Sequence, residues 1–394
     1  MASIRTLKYL NVVQSHLTKS FSKKAFIRQL NTSSRPTASQ KGGAIILGSA
    51  LAGFTAYGIF KKLQGQTVLD EKFKIVDSVL NHATVKAATP PASQPSVWSP
   101  GKDHALYLWI YLKPTANSKD VAKVAATLQK MVDTIVDPTM KDEEDEVLAG
   151  VGFGPNFYAQ VAGKTRKNFV YPYRKGNLGD MPSSGGDIFV HAKSNQISKL
   201  FELSQLFINS LPKDSVESFE DIYSFVYQIQ RDLSGFIDGT ENRVDDEGRQ
   251  LIAVEKETGG SYVITQKWIH NFNVINTEKT KILENWVGRE RSDSTELPRK
   301  PITSHVARMT GGNAFQQPKA YEIVRQSMPF GTVSKEAGLF FIGYAADPKN
   351  FEFMLDRMVG AGGDSQCDDI MKLSTNVKGT YWYFPGQSEL NKLA

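Results

Sequence analysis

The apolar segments of this chain repeat one order of strands and helices, and that order constrains the fold more than any other feature of the sequence. In the first half, short apolar runs typical of strands alternate with segments whose apolar residues recur at helical spacing. The predicted order is strand 105–112, helix 118–137, strand 146–154, strand 185–194, helix 195–211 and strand 215–232. A β-α-β unit followed by a second one is the arrangement of the ferredoxin-like fold.

The second half follows the same order of elements. Its predicted elements are strand 261–272, helix 276–293, strands 320–331 and 338–347, helix 350–360 and a closing strand at 379–386. The two halves show no clear sequence repeat, so their likeness lies in the order of elements. We therefore predict an α+β protein with two ferredoxin-like halves, residues 105–234 and 235–394, each an antiparallel sheet faced by helices.

Residues 1–62 contain ten Lys and Arg residues and no Asp or Glu. In residues 1–41 the basic residues are interleaved with apolar ones at helical spacing and with many Ser and Thr residues, which is typical of a mitochondrial transit peptide. A disordered basic tail is the alternative interpretation. The rest of the chain has 37 basic and 41 acidic residues, a net charge of −4, so a nucleic-acid partner is not expected.

Residues 42–60 form an uncharged run of 19 residues, with Lys41 before it and Lys61 after it. This length just spans the hydrocarbon core of a bilayer, and small residues recur every four positions, as in packed membrane helices. We therefore expect a transmembrane helix that anchors the protein in the mitochondrial inner membrane. The pattern leaves open whether the body faces the matrix or the intermembrane space. Residues 61–104, rich in Pro, Ala and Ser, are predicted to form an extended linker.

The chain has one cysteine, Cys367, and six histidines without zinc-site spacing. The single cysteine excludes an intramolecular disulfide and a cysteine-based metal cluster. Two histidines lie in the predicted presequence and linker, and His104, His191 and His270 lie at or within predicted strands. His305 differs, because "SHVARMTGGN" places it beside a glycine-rich loop. A haem needs only one axial ligand from the protein, which a single histidine of this kind can supply.

A haem peroxidase also needs an acid/base that moves a proton between the oxygens of hydrogen peroxide, and a cation that stabilises charge as the O–O bond breaks. Asp238 in "GFIDGTEN" and Arg325 in "EIVRQSMPFG" are the candidates. Each has a simpler interpretation as well. Asp238 and Gly239 read as a hairpin turn, and Arg325 reads as a solvent-facing residue of an edge strand.

With these segments taken together, the chain resembles the dye-decolourising peroxidases, a haem family with a tandem ferredoxin-like fold. "GFIDGTEN" matches the family's GxxDG signature, and "SHVAR" and "IVRQSMPFG" follow in the order expected for its proximal histidine and distal arginine. The resemblance extends over about residues 100–390 and is to the compact, bacterial-type branch. The basic presequence and the predicted membrane segment lie outside it.

The resemblance implies haem b, held mainly by the C-terminal half, with His305 as the iron ligand. It also implies that Asp238 is the distal acid/base and that Arg325 stabilises bound peroxide and contacts a haem propionate. Further cofactor-binding positions implied by the family are Gly239, Thr240, Asn242, Ser327, Phe330 and Phe341. Glu322 is a candidate for the carboxylate that accepts a hydrogen bond from the second nitrogen of the proximal histidine.

The implied activity is the reduction of hydrogen peroxide with oxidation of dye- or phenol-like one-electron donors through a ferryl intermediate. A membrane-tethered protein of haem handling or iron homeostasis, with little turnover, is the alternative. Because free aspartate titrates at about pH 3.9, an aspartate base predicts an acidic activity optimum. Bulky donors cannot reach a buried haem, so Trp268 and residues 381–383 are candidates for electron transfer to the surface. The family resemblance also implies a homo-oligomer.

Overall fold

The computed structural model describes residues 91–136, 146–166, 169–310 and 321–393, all within the unit formed by residues 86–394. The predicted transit peptide (1–41), the predicted membrane helix (42–60) and the first part of the predicted linker lie outside the described residues. Within the described residues, none of the helices has both the length and the apolar character needed to cross a bilayer.

The sheet of the first half has four strands, β1 (His104–Leu112), β2 (Leu148–Phe153), β3 (Ile188–Ser194) and β4 (Val216–Phe225). They pair antiparallel in the order β2-β3-β1-β4. The helices of this half are α1 (Ser118–Ala125), α2 (Leu128–Ile135), α3 (Pro155–Ala162) and α4 (Ile197–Ser210). This element order and strand order define a ferredoxin-like unit, as predicted.

The second half contains β5 (Ser261–His270), β6 (Val324–Arg325), β7 (Met328–Gly331), β8 (Ala337–Ala345) and β9 (Ser374–Phe384). Strand β5 pairs with β9 and β8, and the other edge of β8 pairs with the short strands β6 and β7. The strand order of this sheet matches that of the first half when β6 and β7, which pair with the same edge of β8, are counted as one strand. The helices are α5 (Asp246–Ala253), α6 (Phe272–Thr277), α7 (Thr280–Val287), α8 (His305–Thr310), α9 (Lys349–Met358), α10 (Gln387–Asn391) and the 3₁₀ helix Asp369–Lys372.

The two sheets meet at both edges through single residue pairs, Phe153 with Tyr383 and Ser224 with Phe330. Aromatic side chains fill the space between them, and the rings of Tyr107 and Phe340 stack with centroids 4.0 Å apart. This packing explains why residues 105–112 are continuously apolar. One face of β1 packs against the other sheet and the opposite face packs against helices, so both faces are buried.

Three predicted elements are interrupted in the structure, and one of them is the helix predicted at 276–293, which breaks between α6 and α7. The helix predicted at 118–137 breaks between α1 and α2, where the Thr127 hydroxyl donates to the carbonyl of Val124 (2.7 Å) and so competes with helical hydrogen bonding. The strand predicted at 320–331 breaks at Gln326, whose side-chain amide donates to the backbone carbonyls of Ser96 (2.9 Å) and Val97 (2.8 Å).

Residues 91–103 pack against the body, which differs from the predicted extended linker. The Gln94 side-chain amide donates to the carbonyls of Val151 (2.8 Å) and Pro385 (2.9 Å), and its oxygen accepts from the Val151 N–H. Val97 is fully buried, and the Lys193 ammonium donates to the carbonyl of Ser99 (2.9 Å). A run rich in Pro, Ala and Ser is therefore held here by hydrogen bonds in both directions, from its own Gln94 to the body and from Lys193 of the body to it.

Candidate active site

One cavity in the second half has mainly apolar walls, formed by Ile264, Trp268, Leu339, Phe341, Leu355 and Met358 among others. Alternate residues of a strand face opposite sides of a sheet, so Phe341 of β8 lines the cavity while its neighbour Phe340 packs between the sheets. Six of the predicted site residues line this cavity, namely Asp238, Gly239, Thr240, His305, Arg325 and Phe341.

His305 is the first residue of α8, and its imidazole is held by a buried carboxylate. Its Nδ1 lies 2.7 Å from Oδ2 of Asp368, whose other oxygen accepts the N–H of Ile370 at 2.9 Å. Because Nδ1 is engaged, Nε2 is the ring nitrogen left for a metal. The prediction of Glu322 as this partner is wrong, since Glu322 instead forms an exposed ion pair with Arg243 (3.1 Å).

Asp238 lies in a tight loop between β4 and α5. Its N–H donates to the carbonyl of Gln230 (3.0 Å), and its Oδ1 accepts the N–H of Gly239 (2.7 Å). Gly239 has a φ of +77°, a backbone conformation that glycine adopts without the steric cost other residues pay. The turn itself spans residues 239–242, where the Asn242 N–H donates to the carbonyl of Gly239 (3.1 Å), so Asp238 precedes the turn and does not occupy its centre as predicted. Asp238 lines the cavity wall.

Arg325 lies on the two-residue strand β6, and its backbone is held by Asn242. The side-chain amide of Asn242 donates to the Arg325 carbonyl (2.8 Å), and its oxygen accepts the Arg325 N–H (3.0 Å). The Nε of Arg325 is buried without a hydrogen-bond partner in the described part of the chain. An unsatisfied buried donor is costly, so this group is prepared for an acceptor that a bound ligand brings.

Three predicted cofactor-binding residues are not among those that line the cavity: Asn242, Ser327 and Phe330. Asn242 acts on the backbone of Arg325, and the hydroxyl of Ser327 accepts the N–H of Ile342 at 3.2 Å. Phe330 pairs with Gly338 in β8 and packs between the sheets, on the face of β8 that points away from the cavity. The prediction of Phe330 as a cofactor-binding position is wrong, because strand register places its side chain on the face opposite the cavity.

Of the candidates for electron transfer, Trp268 lines the cavity, whereas Tyr381, Trp382 and Tyr383 are not among the lining residues. These three are buried core aromatics, and the Trp382 Nε1–H donates to the hydroxyl of Thr265 (2.7 Å). Residues 381–383 are therefore part of the hydrophobic core.

Sequence reasoning missed a second guanidinium, that of Arg289, which lines the cavity after α7. Its Nη1 donates to the carbonyl of Ser294 (2.9 Å), and its Nη2 is paired with Glu241 and lies 3.6 Å from Glu296. The sequence predicts a helix over 276–293, but Gly288 ends the helix in a left-handed conformation, with a φ of +95°. Because the predicted helix ran on to residue 293, the sequence did not point to a cavity cation.

A buried polar pair, also missed, lines one wall of the cavity. His270 Nε2 lies 2.9 Å from Oδ1 of Asp232, and His270 Nδ1 lies 2.9 Å from the hydroxyl of Ser374. Ser234 donates its backbone N–H to Asp232 (2.9 Å). Burial by itself would raise the pKa of Asp232, but His270 and the hydrogen bonds from Ser234 outweigh it, so the pKa lies below its ordinary value.

The residues around the cavity fit a haem. A haem is flat and mostly apolar, carries two carboxylates and needs one axial protein ligand. The cavity has apolar walls, an imidazole held from behind by Asp368, and two guanidinium groups, one of them with an unsatisfied Nε. The same cavity carries a carboxylate, that of Asp238, to serve as an acid/base. Fold and site together define a haem peroxidase.

The sequence also matches known proteins. The family model for the C-terminal part of the Dyp-type peroxidases matches residues 229–389. A dye-decolorizing peroxidase from Rhodococcus erythropolis is 31% identical over 248 residues, which cover 61% of this chain and 72% of the relative. The chain therefore belongs to the dye-decolourising peroxidase family, and haem is its cofactor.

Solved structures of the family share the fold. A dye-decolorizing protein from V. cholerae superposes with a TM-score of 0.69 at 28% identity, covering 76% of this chain and 99% of that protein. A variant of DypB from Rhodococcus jostii RHA1 in complex with haem superposes with a TM-score of 0.69 at 27% identity, covering 77% of this chain and all of that protein. The tandem ferredoxin-like architecture is thus the family's own.

Proposed function

We propose that this haem peroxidase reduces hydrogen peroxide with Asp238 and Arg325 and takes the electrons from organic one-electron donors of the dye or phenol type. The observation that supports these roles most directly is that both side chains line the cavity of His305. When bound, haem supplies the iron that His305 ligates and the capacity to exchange electrons with peroxide and donor.

The chain's own residues would act on protons and charge. The Asp238 carboxylate takes the proton from one oxygen of hydrogen peroxide and returns it to the other, which then leaves as water. The Arg325 guanidinium donates hydrogen bonds to the negative charge that develops as the O–O bond breaks. The Asn242 side chain keeps Arg325 in place through hydrogen bonds to the backbone N–H and carbonyl of Arg325. Asp368 keeps His305 in the orientation and tautomer that present Nε2 to the iron.

Three variants test these roles when the haem-loaded protein is mixed with hydrogen peroxide and its absorption is followed. His305→Ala should lose haem. Asp238→Asn and Arg325→Leu should retain haem and react with peroxide about 10² to 10⁴ times more slowly than the wild type. Glu322→Gln, which changes an exposed carboxylate outside the cavity, is the matched control. Wild-type reaction rates in both Asp238→Asn and Arg325→Leu would show that the distal roles are misassigned. Haem binding without any reaction would instead favour haem handling.

We also propose that residues 1–41 direct the protein to mitochondria and that residues 42–60 anchor it in the inner membrane. The support is the basic, acid-free composition of residues 1–62 and the 19 uncharged residues that follow Lys41. Carbonate extraction of mitochondria should leave the full chain in the membrane fraction, and protease protection would decide between matrix and intermembrane space. Extraction into the soluble fraction would exclude an anchor.

A homo-oligomer is proposed on the family resemblance, and light scattering of the purified haem-loaded protein measures it directly. A mass near 43.7 kDa, that of one chain, would exclude a stable oligomer.

A further inference from the structure

A second depression, here called the outer groove, lies beside the haem cavity. Its lining includes Tyr227, Arg231, Gly235, Ile275, Glu284 and Arg291. The proposed peroxidase chemistry uses none of these residues. The outer groove and the haem cavity nevertheless share one wall, the segment 231–236.

This shared wall is one chain thick. Along it, Asp232, Ser234 and Phe236 are buried and line the haem cavity, whereas Arg231, Leu233 and Gly235 line the outer groove. The segment is a tight turn, in which the Gly235 N–H donates to the carbonyl of Asp232 (2.8 Å), and successive side chains lie on its two sides. A molecule in the outer groove is therefore separated from the haem cavity by a single stretch of backbone and the ring of Phe236.

The Arg291 guanidinium lies directly on this wall. A Cβ at Gly235 would come within 2.5 Å of Arg291 Nη2 and 2.6 Å of Nε, so a larger residue there would displace the guanidinium from the wall. Arg291 Cζ also lies 5.8 Å from the ring centroid of Phe236. Gly235, the first glycine of the GxxDG signature, therefore makes room for Arg291 on the outer side of the wall.

The groove carries more positive than negative charge. Arg231 donates only to neutral carbonyls, those of Gly235, Arg291 and Ser292, each at 2.7 Å. In the described part of the chain, neither Arg231 nor Arg291 has a carboxylate within ion-pair distance. The carboxylate of Glu284 is already engaged, since it accepts the backbone N–H of Arg291 (3.0 Å) and pairs with Lys281 (3.5 Å).

We propose that the outer groove binds the electron donor, and that this donor is an aromatic anion such as a phenol bearing a carboxylate or sulfonate. Arg291 offers the planar fork that suits such an anion, while the partly exposed side chain of Tyr227 offers a ring against which an aromatic donor can pack. The inference rests on the proposed peroxidase function. Two donor molecules each lose one electron and one proton, and one hydrogen peroxide accepts both electrons and both protons to give two waters and two donor radicals. The electrons cross the 231–236 wall.

Ferulate and its methyl ester provide a matched pair of probes, because they differ in the charge of the carboxyl group. In the haem-loaded full chain, Arg291→Ala should raise the KM for ferulate about 10-fold or more, since a charge-assisted pair is lost. The KM for methyl ferulate and the rate of reaction with hydrogen peroxide alone should change less than about 2-fold. Arg291→Lys should give an intermediate KM for ferulate. Arg299→Ala, at an exposed arginine that lines neither depression, is the control.

A second variant tests the location without changing charge. Asn276→Trp should fill the outer groove and lower kcat/KM for both probes while leaving the reaction with peroxide intact. An unchanged KM for ferulate in Arg291→Ala, or an equal change in Arg299→Ala, would overturn the proposal. Calorimetric titration with ferulate in the absence of peroxide measures binding independently of turnover. Weaker ferulate binding in Arg291→Ala would therefore support the groove even if the wild type failed to react with peroxide, a failure that would count only against the proposed function.

Discussion

The side-chain amide of Asn242 makes both hydrogen bonds to the backbone of Arg325 that a neighbouring β-strand would make. Its Nδ2 donates to the Arg325 carbonyl (2.8 Å), and its Oδ1 accepts the Arg325 N–H (3.0 Å), across 83 positions in the sequence. These two hydrogen bonds, here called the clamp, connect the loop that carries Asp238 to the strand that carries Arg325. They supplement the strand pairing of β6, which has only two residues.

Removal of this clamp should slow the reaction with peroxide while haem stays bound. In Asn242→Ala we expect the second-order rate constant for hydrogen peroxide to fall about 10-fold or more, because small displacements of a catalytic group are costly. Asn242→Asp keeps the acceptor for the Arg325 N–H but loses the donor to the Arg325 carbonyl. Its rate constant should therefore lie between those of the wild type and Asn242→Ala. Rapid mixing at equal haem content measures the effect. An unimpaired Asn242→Ala variant would mean that Arg325 is held adequately without the clamp.

Asp368 should control how strongly His305 holds iron. Asp368→Asn keeps an acceptor near Nδ1 but removes the negative charge, so the imidazole donates less electron density. We expect haem affinity to fall about 10-fold to 100-fold and the reduction potential to rise, as measured by haem titration and spectroelectrochemistry. Asp369→Asn is the matched control, because Asp369 is adjacent but bonds to Thr303. A potential identical to that of the wild type would exclude this role for Asp368.

Asp232 should contribute to stability in a pH-dependent manner. Its pKa in the folded protein lies below the ordinary value because His270 and Ser234 outweigh the effect of burial. Such a group stabilises the folded state above its unfolded pKa, about 3.9, and this contribution is lost as pH falls through the lower folded pKa. Asp232→Asn should therefore unfold at lower denaturant concentration at pH 6, and the difference should shrink below about pH 4. A pH-independent difference would contradict the assignment.

Lys193 should give a pH dependence of the same sign in a higher pH range, because its pKa is also lowered in the folded protein. Burial, followed by the like charges of Arg249 and Lys102, lowers the pKa of Lys193 to about 7, and Glu146 opposes this only in part. Between about pH 7 and 10 the unfolded chain then holds a proton that the folded chain lacks, so the free energy of unfolding rises with pH.

Relative to a Lys193→Met variant, the free energy of unfolding of the wild type should rise by about 1 kcal/mol per pH unit in that range. Urea unfolding of the haem-loaded proteins at several pH values measures the slope. Lys335→Met, at an exposed lysine on the loop before β8, supplies the comparison and should show no such slope. Equal slopes in the two variants would refute the burial argument for Lys193.

Much of the fold could be predicted because strands buried on both faces and amphipathic helices leave clear local patterns. The two halves, the order of elements and nearly every long strand follow from these patterns. The failures occurred where side chains compete with backbone hydrogen bonding. Thr127 ends a helix early, and Gln326 interrupts a strand by binding the segment that precedes β1.

The amino-acid sequence by itself determined the tandem ferredoxin-like architecture, and its resemblance to the family's motifs predicted Asp238, His305 and Arg325 as the principal site residues, all three of which line one cavity. Only the tertiary structure decided that Asp368 and not Glu322 supports His305, that Asn242 holds Arg325, that Phe330 faces away from the cavity and that Gly235 accommodates Arg291. The physical reason is that these relationships join residues distant in the chain. They depend on strand register and on the close packing of loops, which leave no periodic signal in the sequence.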